Sequence, residues 1–132
     1  MREILFRGKF GNEWKYGYLT IEPRGLAIKE PYVNAASNIW HIDTKTVGQY
    51  TGLNDKNGNK IFEGDIVAYW DTYSTESGQS EADCIGKVVW DDETISFQVT
   101  NRLSAESYEV LDECSVIGNI YDNPELLKEA LK

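Results

Sequence analysis

Asp55, Asn57 and Asn59 set side-chain oxygens at alternate positions, which is how the calcium loop of a helix–loop–helix unit begins. That loop needs a glycine at its sixth position and a bidentate glutamate at its twelfth. Here those positions are Lys60 and Ile66, and no amphipathic helix flanks the segment, so the spacing does not make a cation site. Asn57-Gly58 is instead the dipeptide best suited to a tight hairpin, and a type I′ turn with positive φ at both residues is expected. Glu63 and Asp65, two apart on an extended chain, fall on one side, and a raised pKa would let one act as acid or base. Gly64 between them points rather to a corner whose carboxylates cap local N–H groups. Asp91-Asp92-Glu93 could hold a divalent ion weakly, but such a cluster reads as an exposed turn. His41, the one histidine, has apolar neighbours and no Ser or Cys nucleophile motif around it, and is expected to be an ordinary strand residue. Cys84 and Cys114 are too few for a disulfide scaffold or a zinc site. With no phosphate loop, dinucleotide fingerprint or Cys/His spacing, the expectation is a protein that is not an enzyme, with no catalytic, cofactor-binding or metal-binding residue.

The elements that would position these residues are strands. Residues 4–7 and 14–19 flank a Gly11-Asn12 turn and predict a hairpin. Trp14, Tyr16 and Tyr18 point one way along it, and Lys15 and Gly17 the other. Such a stripe could stack bases, but beside Ile4 and Phe6 its expected place is half of a sheet core. Pro23, Gly25 and Pro31 predict a loop-rich stretch, with Ile21 and Ile28 as candidates for short strands within it, up to a short strand at residues 39–42. From Thr46 to Val67 the pattern is strand, tight turn, short strand, corner and long strand. Residues 71–83 are polar, acidic and aperiodic, and predict an exposed, mobile loop. Residues 86–90 and 95–100 predict a second hairpin, with Ile95, Phe97 and Val99 buried and Ser96, Gln98 and Thr100 wet. Tyr108, Val110 and Leu111 suggest a further strand, and residues 115–121 a better one. A helix over 124–131 follows, with Asn123 as N-cap, Pro124 first and Glu125 favouring the dipole. Its apolar stripe is Leu126, Leu127, Ala130 and Leu131.

A chain of 132 residues, 41% of them hydrophobic, fits one domain with a real core. The net charge of −9 is unevenly spread. Residues 1–61 hold nine Lys/Arg and six Asp/Glu, a net of +3, and residues 62–132 hold four and sixteen, a net of −12. The second part repels a polyanion and offers an acidic face to a basic partner or to the first part of another copy. No signal-like N-terminus is visible, and the longest apolar run, residues 66–70, is far short of a membrane span. A cytoplasmic protein with reduced thiols and no membrane contact is expected.

Several segments resemble the YopX-like family of phage and prophage proteins. They are Phe6-Arg7-Gly8-Lys9 with Trp14 and Tyr16-Gly17-Tyr18; Thr46-Val47-Gly48-Gln49-Tyr50-Thr51-Gly52-Leu53; and Asp55-Lys56-Asn57-Gly58 with Ile61-Phe62-Glu63-Gly64-Asp65-Ile66-Val67. The last is Val116-Ile117-Gly118-Asn119-Ile120-Tyr121-Asp122-Asn123-Pro124-Glu125-Leu126-Leu127. The resemblance runs nearly end to end and is weakest over residues 20–45 and 71–112. It implies a compact β-rich fold and expression in a bacterial host from viral or integrated DNA. The family has no agreed activity, so it assigns no site residue here. Separately, the Gly64-Asp65 corner followed by a strand starting at Gly86 is similar to the strand order of small SH3-like barrels, which is a likeness of fold and not of function.

The expected fold is mainly β: one domain over 1–132, with an N-terminal β-hairpin and loop-rich part (1–45) packed with a small SH3-like barrel (46–132) that ends in a short C-terminal α-helix. The expected function is that of a phage or prophage accessory protein, a non-catalytic protein-binding module with an acidic contact surface. Its partner would be another protein or a second copy. The alternative is a nucleic-acid-associated protein, either a single-strand binder through aromatics or a mimic of DNA charge. Direct contact with nucleic acid is the less expected of the two.

Overall fold

Antiparallel strands make up most of the computed structural model, which describes residues 4–30, 39–75, 78–100, 107–109 and 113–129. In chain order they are β1 (Phe6–Phe10), β2 (Glu13–Glu22), β3 (Gly25–Lys29), β4 (Ile39–His41), β5 (Asp43–Asn54) and β6 (Lys60–Phe62). There follow β7 (Asp65–Thr75), β8 (Gly78–Asp91), β9 (Ser96–Thr100), β10 (Ser107–Glu109), β11 (Ser115–Asn119) and one helix, α1 (Glu125–Glu129). The chain forms two compact units, Met1–Gly52 and Leu53–Lys132.

In the first unit the sheet order is β4-β3-β2-β1-β5. The expected hairpin is present: Phe6 faces Gly17 and Phe10 faces Glu13 across β1 and β2. The described part of the stretch expected to be loop-rich, up to residue 30, is instead mostly strand. Glu22 pairs with Gly25, so Pro23 and Arg24 make a two-residue turn, for which the fixed φ of proline is suited. Behind it Ala27 and Ile28 are fully buried, so Pro23 marks a turn of a meander and not a break in the sheet. Pro31 lies outside the described residues. On one face Phe10 packs against Trp40 with ring centroids 5.1 Å apart, and the Lys15 ammonium sits 3.9 Å from the Trp40 centroid. The Trp40 indole N–H donates to Glu30 at 3.1 Å. Gly8 lies directly against the Ile42 side chain, where any Cβ would collide, so glycine is required by close approach. The β1–β5 register shifts between Arg7 and Lys9. Thr46 fills that bulge, accepting from the Lys9 N–H at 2.8 Å and donating to the Asp43 carbonyl at 2.6 Å.

In the second unit β11, β7, β8, β9 and β10 form a sheet in the order β10-β9-β8-β7-β11. Its core is Ile61, Val67, Val88, Phe97, Val99 and Cys114, with Tyr69 and Val116 packed against them. The expected loop over 71–83 is replaced by a long hairpin. The β7–β8 ladder continues through Asp71 opposite Ala82 to Thr75 opposite Gly78. Polarity concealed a strand whose Thr72, Tyr73 and Thr75 are of strand-favouring types. In the second short hairpin Asp91 pairs with Ser96, so Ile95 belongs to the turn and is 75% exposed, while Gln98 is buried. Gln98 satisfies its amide by donating to Ser96 Oγ at 2.7 Å. Tyr108 is in a strand as expected; Val110 and Leu111 fall outside the described residues, as do Ala130 and Leu131 of the expected helix. Asn123 is not a side-chain cap: its Oδ1 accepts from the Asn119 N–H at 3.3 Å, and its carbonyl accepts from the Leu126 N–H.

The turn before β6 is not type I′. Gly58 has φ 85°, but the only non-glycine with positive φ among the described residues is Ile95, so Asn57 does not share it. The Gly58 N–H donates to the Asp55 carbonyl, and the Asp55 N–H donates to Asn59. This is a three-residue loop, a type I turn closed by a left-handed glycine. No atom stands within 4 Å of the position a Gly58 Cβ would take, so a side chain there is opposed by backbone conformation alone. Gly58→Val is expected to destabilise the protein by about 1–3 kcal/mol. Thermal melts of the two proteins test this, and an unchanged midpoint would show that the turn relaxes at no cost.

Candidate functional site

The residues with the clearest chemical signal form a structural centre. Asp55 is buried, and both of its carboxylate oxygens are occupied. Oδ1 accepts from the backbone N–H groups of Asn57 at 2.9 Å and Asn59 at 2.8 Å. Oδ2 accepts from the Val116 N–H at 2.9 Å and the Asn59 side-chain amide at 3.3 Å. Burial pushes this carboxyl group up, but the bonds from Val116, Asn59 and Asn57 outweigh it and hold the pKa below its ordinary value. A cation at Asp55 would meet a ring of N–H donors, the wrong end of every dipole. The alternating Asp-x-Asn-x-Asn oxygens thus converge on backbone amides and tie the β5–β6 turn to β11. The neighbouring Asn57 amide donates to Ser115 Oγ at 3.0 Å, and the Lys56 N–H to the Cys114 carbonyl at 3.0 Å.

The other sequence candidates are likewise engaged locally. Asp65 is 2% exposed and accepts from the Phe62 N–H at 2.7 Å, the corner expected around Gly64, whose φ is 92°. Asp91 accepts from the Glu93 N–H at 2.9 Å, and Asp92 from the Trp90 indole at 2.8 Å, so this cluster is an exposed turn. His41 is exposed on β4 opposite Ala27. Cys84 and Cys114 are buried and are not joined in a disulfide. Among the described residues no three His, Cys, Asp or Glu side chains gather to hold a metal ion, and no helix is long and apolar enough to cross a membrane.

Two surfaces stand out. The first is the β8–β9 tip, where Trp90 is 43% and Ile95 75% exposed beside Asp91, Asp92 and Glu93. Trp90 is held in place edge-on to Phe97, with centroids 5.0 Å apart. Ile95 has φ 53°, a conformation that β-branched residues avoid. The second is the β2 stripe. Tyr16 and Tyr18 are 43% and 51% exposed, so these rings do not form the sheet core as expected. Trp14 is half-buried, with the Arg7 guanidinium 4.6 Å and the Lys9 ammonium 5.5 Å from its ring centroid. The rings point away from the face on which Phe10, Lys15 and Trp40 pack. Period-2 spacing predicts that they share a face, but not that Tyr16 and Tyr18 are exposed on it.

The family model described as YopX protein matches residues 10–128 of the chain. No curated protein matches it. Among solved structures, it is similar to the crystal structure of protein EF1440 from Enterococcus faecalis, with 24% identity and a TM-score of 0.47. That match covers 96% of this chain and 99% of the other.

Proposed function

The chain belongs to the YopX family, and from that premise we propose that it is a non-catalytic accessory protein of a phage or prophage, acting by binding a basic protein partner in the bacterial cytoplasm. The observation that carries this reading is the apolar tip of the β8–β9 hairpin. Trp90 and Ile95 are exposed there, in the same turn region as Asp91, Asp92 and Glu93. An apolar centre with a polar rim is the anatomy of a protein interface. A strained Ile95 backbone is retained there although the side chain is in water, which favours a role in contact over a role in stability. The charge agrees: residues 53–132 hold six Lys/Arg against seventeen Asp/Glu, a net of −11. Binding is favoured over catalysis because Asp55, Asp65 and Asp91, the carboxylates with the best spacing for chemistry, are each spent on backbone N–H groups.

The test is affinity capture from bacterial lysate, comparing the natural protein with Ile95→Asp and with Asp92→Lys. Capture of a basic protein is expected, weakened about tenfold or more by either change and by salt near 0.5 M, with the melting curves unchanged. Capture that survives Ile95→Asp would remove the tip from the contact and overturn the reading.

A further inference from the structure

We propose that the exposed Tyr16 and Tyr18 of β2 bind single-stranded nucleic acid by stacking its bases, independently of the acidic tip. Residues two apart on a strand lie on one face about 7 Å apart, so these two rings form consecutive steps of a platform. Both are substantially exposed. The neighbours nearest the two tyrosines are cationic, and the carboxylates on this face, Asp43 opposite Lys9 and Glu22 beyond Thr20, lie further along it. Lys29 stands directly opposite Tyr18 and is exposed, and Lys9 stands opposite Trp14. Trp14 completes the row and holds the Lys9 ammonium over its ring.

Exposed rings spaced along a strand with cations at their edges are what a single strand needs. Every base has a π-face for the rings, and its phosphates can reach the lysines. Duplex DNA hides those faces in its own stack. Charge complementarity favours this unit over the other: residues 1–52 hold seven Lys/Arg and five Asp/Glu, a net of +2, against −11 for the remainder. Sequence reasoning disfavoured nucleic acid partly because these rings were expected in the core, and their exposure removes that objection. The acidic second unit still repels phosphate, so the affinity should be modest and steeply salt-dependent.

Fluorescence anisotropy with labelled 12-nucleotide oligo-dT, oligo-dA and oligo-U, each against a duplex of equal length, decides the matter. A Kd of roughly 10 µM at 50 mM salt is expected for single strands, with the duplex binding weaker. Tyr18→Ala and Tyr16→Ala should each weaken binding about tenfold, while Tyr18→Phe, which keeps the ring, should not. Lys29→Gln should flatten the slope of log K against log salt by about 0.7, the value for one phosphate contact on a single strand. Four results would each overturn the proposal. They are no saturable signal at about 100 µM protein, equal binding by the alanine variants with unchanged circular dichroism, duplex binding as tight as single-strand binding, and a concentration-dependent dimer that Tyr18→Ala dissolves while no oligonucleotide binds. The last would make the face a contact between copies.

Discussion

Replacing Asp55 with alanine should cost about 3–5 kcal/mol, enough to leave a domain of ordinary stability only marginally folded. The side chain accepts from three backbone N–H groups and one amide, at 2.8 to 3.3 Å. Removing it leaves these donors without their acceptor, and each buried orphan costs about 1–3 kcal/mol. The Asn57 and Asn59 amides sit in a surface turn and can turn to water. The Val116 N–H is part-buried and lies 61 residues away in sequence, so its loss also frees β11 from the turn. Urea denaturation measures the effect as a fall in midpoint at unchanged slope. The pH dependence gives an independent check. The Asp55 pKa is lowered by folding, so its contribution is fully present above the ordinary value of 3.8 and is lost as the pH falls through the lowered one. Natural protein and Asp55→Asn should therefore differ at pH 6, and the gap should close as the pH falls below 3.8 and through the lowered value. A gap that does not narrow at all as the pH falls below 3.8 would show that the carboxylate charge is not what holds the turn.

The same residue shows how far the sequence carries. Asp55, Asn57 and Asn59 stand out because alternate oxygens converge on something positive. The spacing excludes calcium, but only the fold reveals that the positive ends are backbone amides, one of them on β11. Asn57-Gly58 correctly marks a turn. Both a type I′ turn and a type I turn closed by glycine end on a left-handed residue, and the Asx bonds from Asp55 select the second. Periodicity found the strands with one wet and one buried face. It missed β3, which is apolar at consecutive positions, and the distal part of the β7–β8 hairpin, where nearly every residue is polar. It also misassigned Ile95, because alternation with Phe97 and Val99 continues past the point where the ladder stops at Ser96. Both candidate surfaces follow from that kind of miss. An alternating pattern identifies two faces, and what covers each is decided by residues distant in sequence.

Ile61→Ala should cost about 3–4 kcal/mol, and the size of that loss depends on how β6 is held. Ile61 is fully buried and central to the cluster with Val67, Val88, Phe97, Val99 and Cys114. Loss of an isoleucine to alanine removes transfer energy and leaves a cavity, for a usual total of 2–5 kcal/mol. Collapse into that cavity needs the backbone to move. Here β6 has only residues Lys60–Phe62, fixed before it by the Asp55 turn and after it by the Phe62 N–H bond to Asp65. A strand pinned at both ends relaxes little, which places the cost in the middle of the range or above. Coupling makes the same point more sharply. Asp55→Ala with Ile61→Ala would approach the whole stability of the domain, so the cycle is better built with Ile61→Val, worth about 1 kcal/mol alone. If the Asp55 turn holds β6 rigid, its removal lets the strand settle into the smaller cavity, and the double variant loses at least 0.5 kcal/mol less than the two singles together, roughly the threshold for coupling between neighbours. Strict additivity would mean that the turn and the strand fail separately, and that Asp55 secures β11 but not the core.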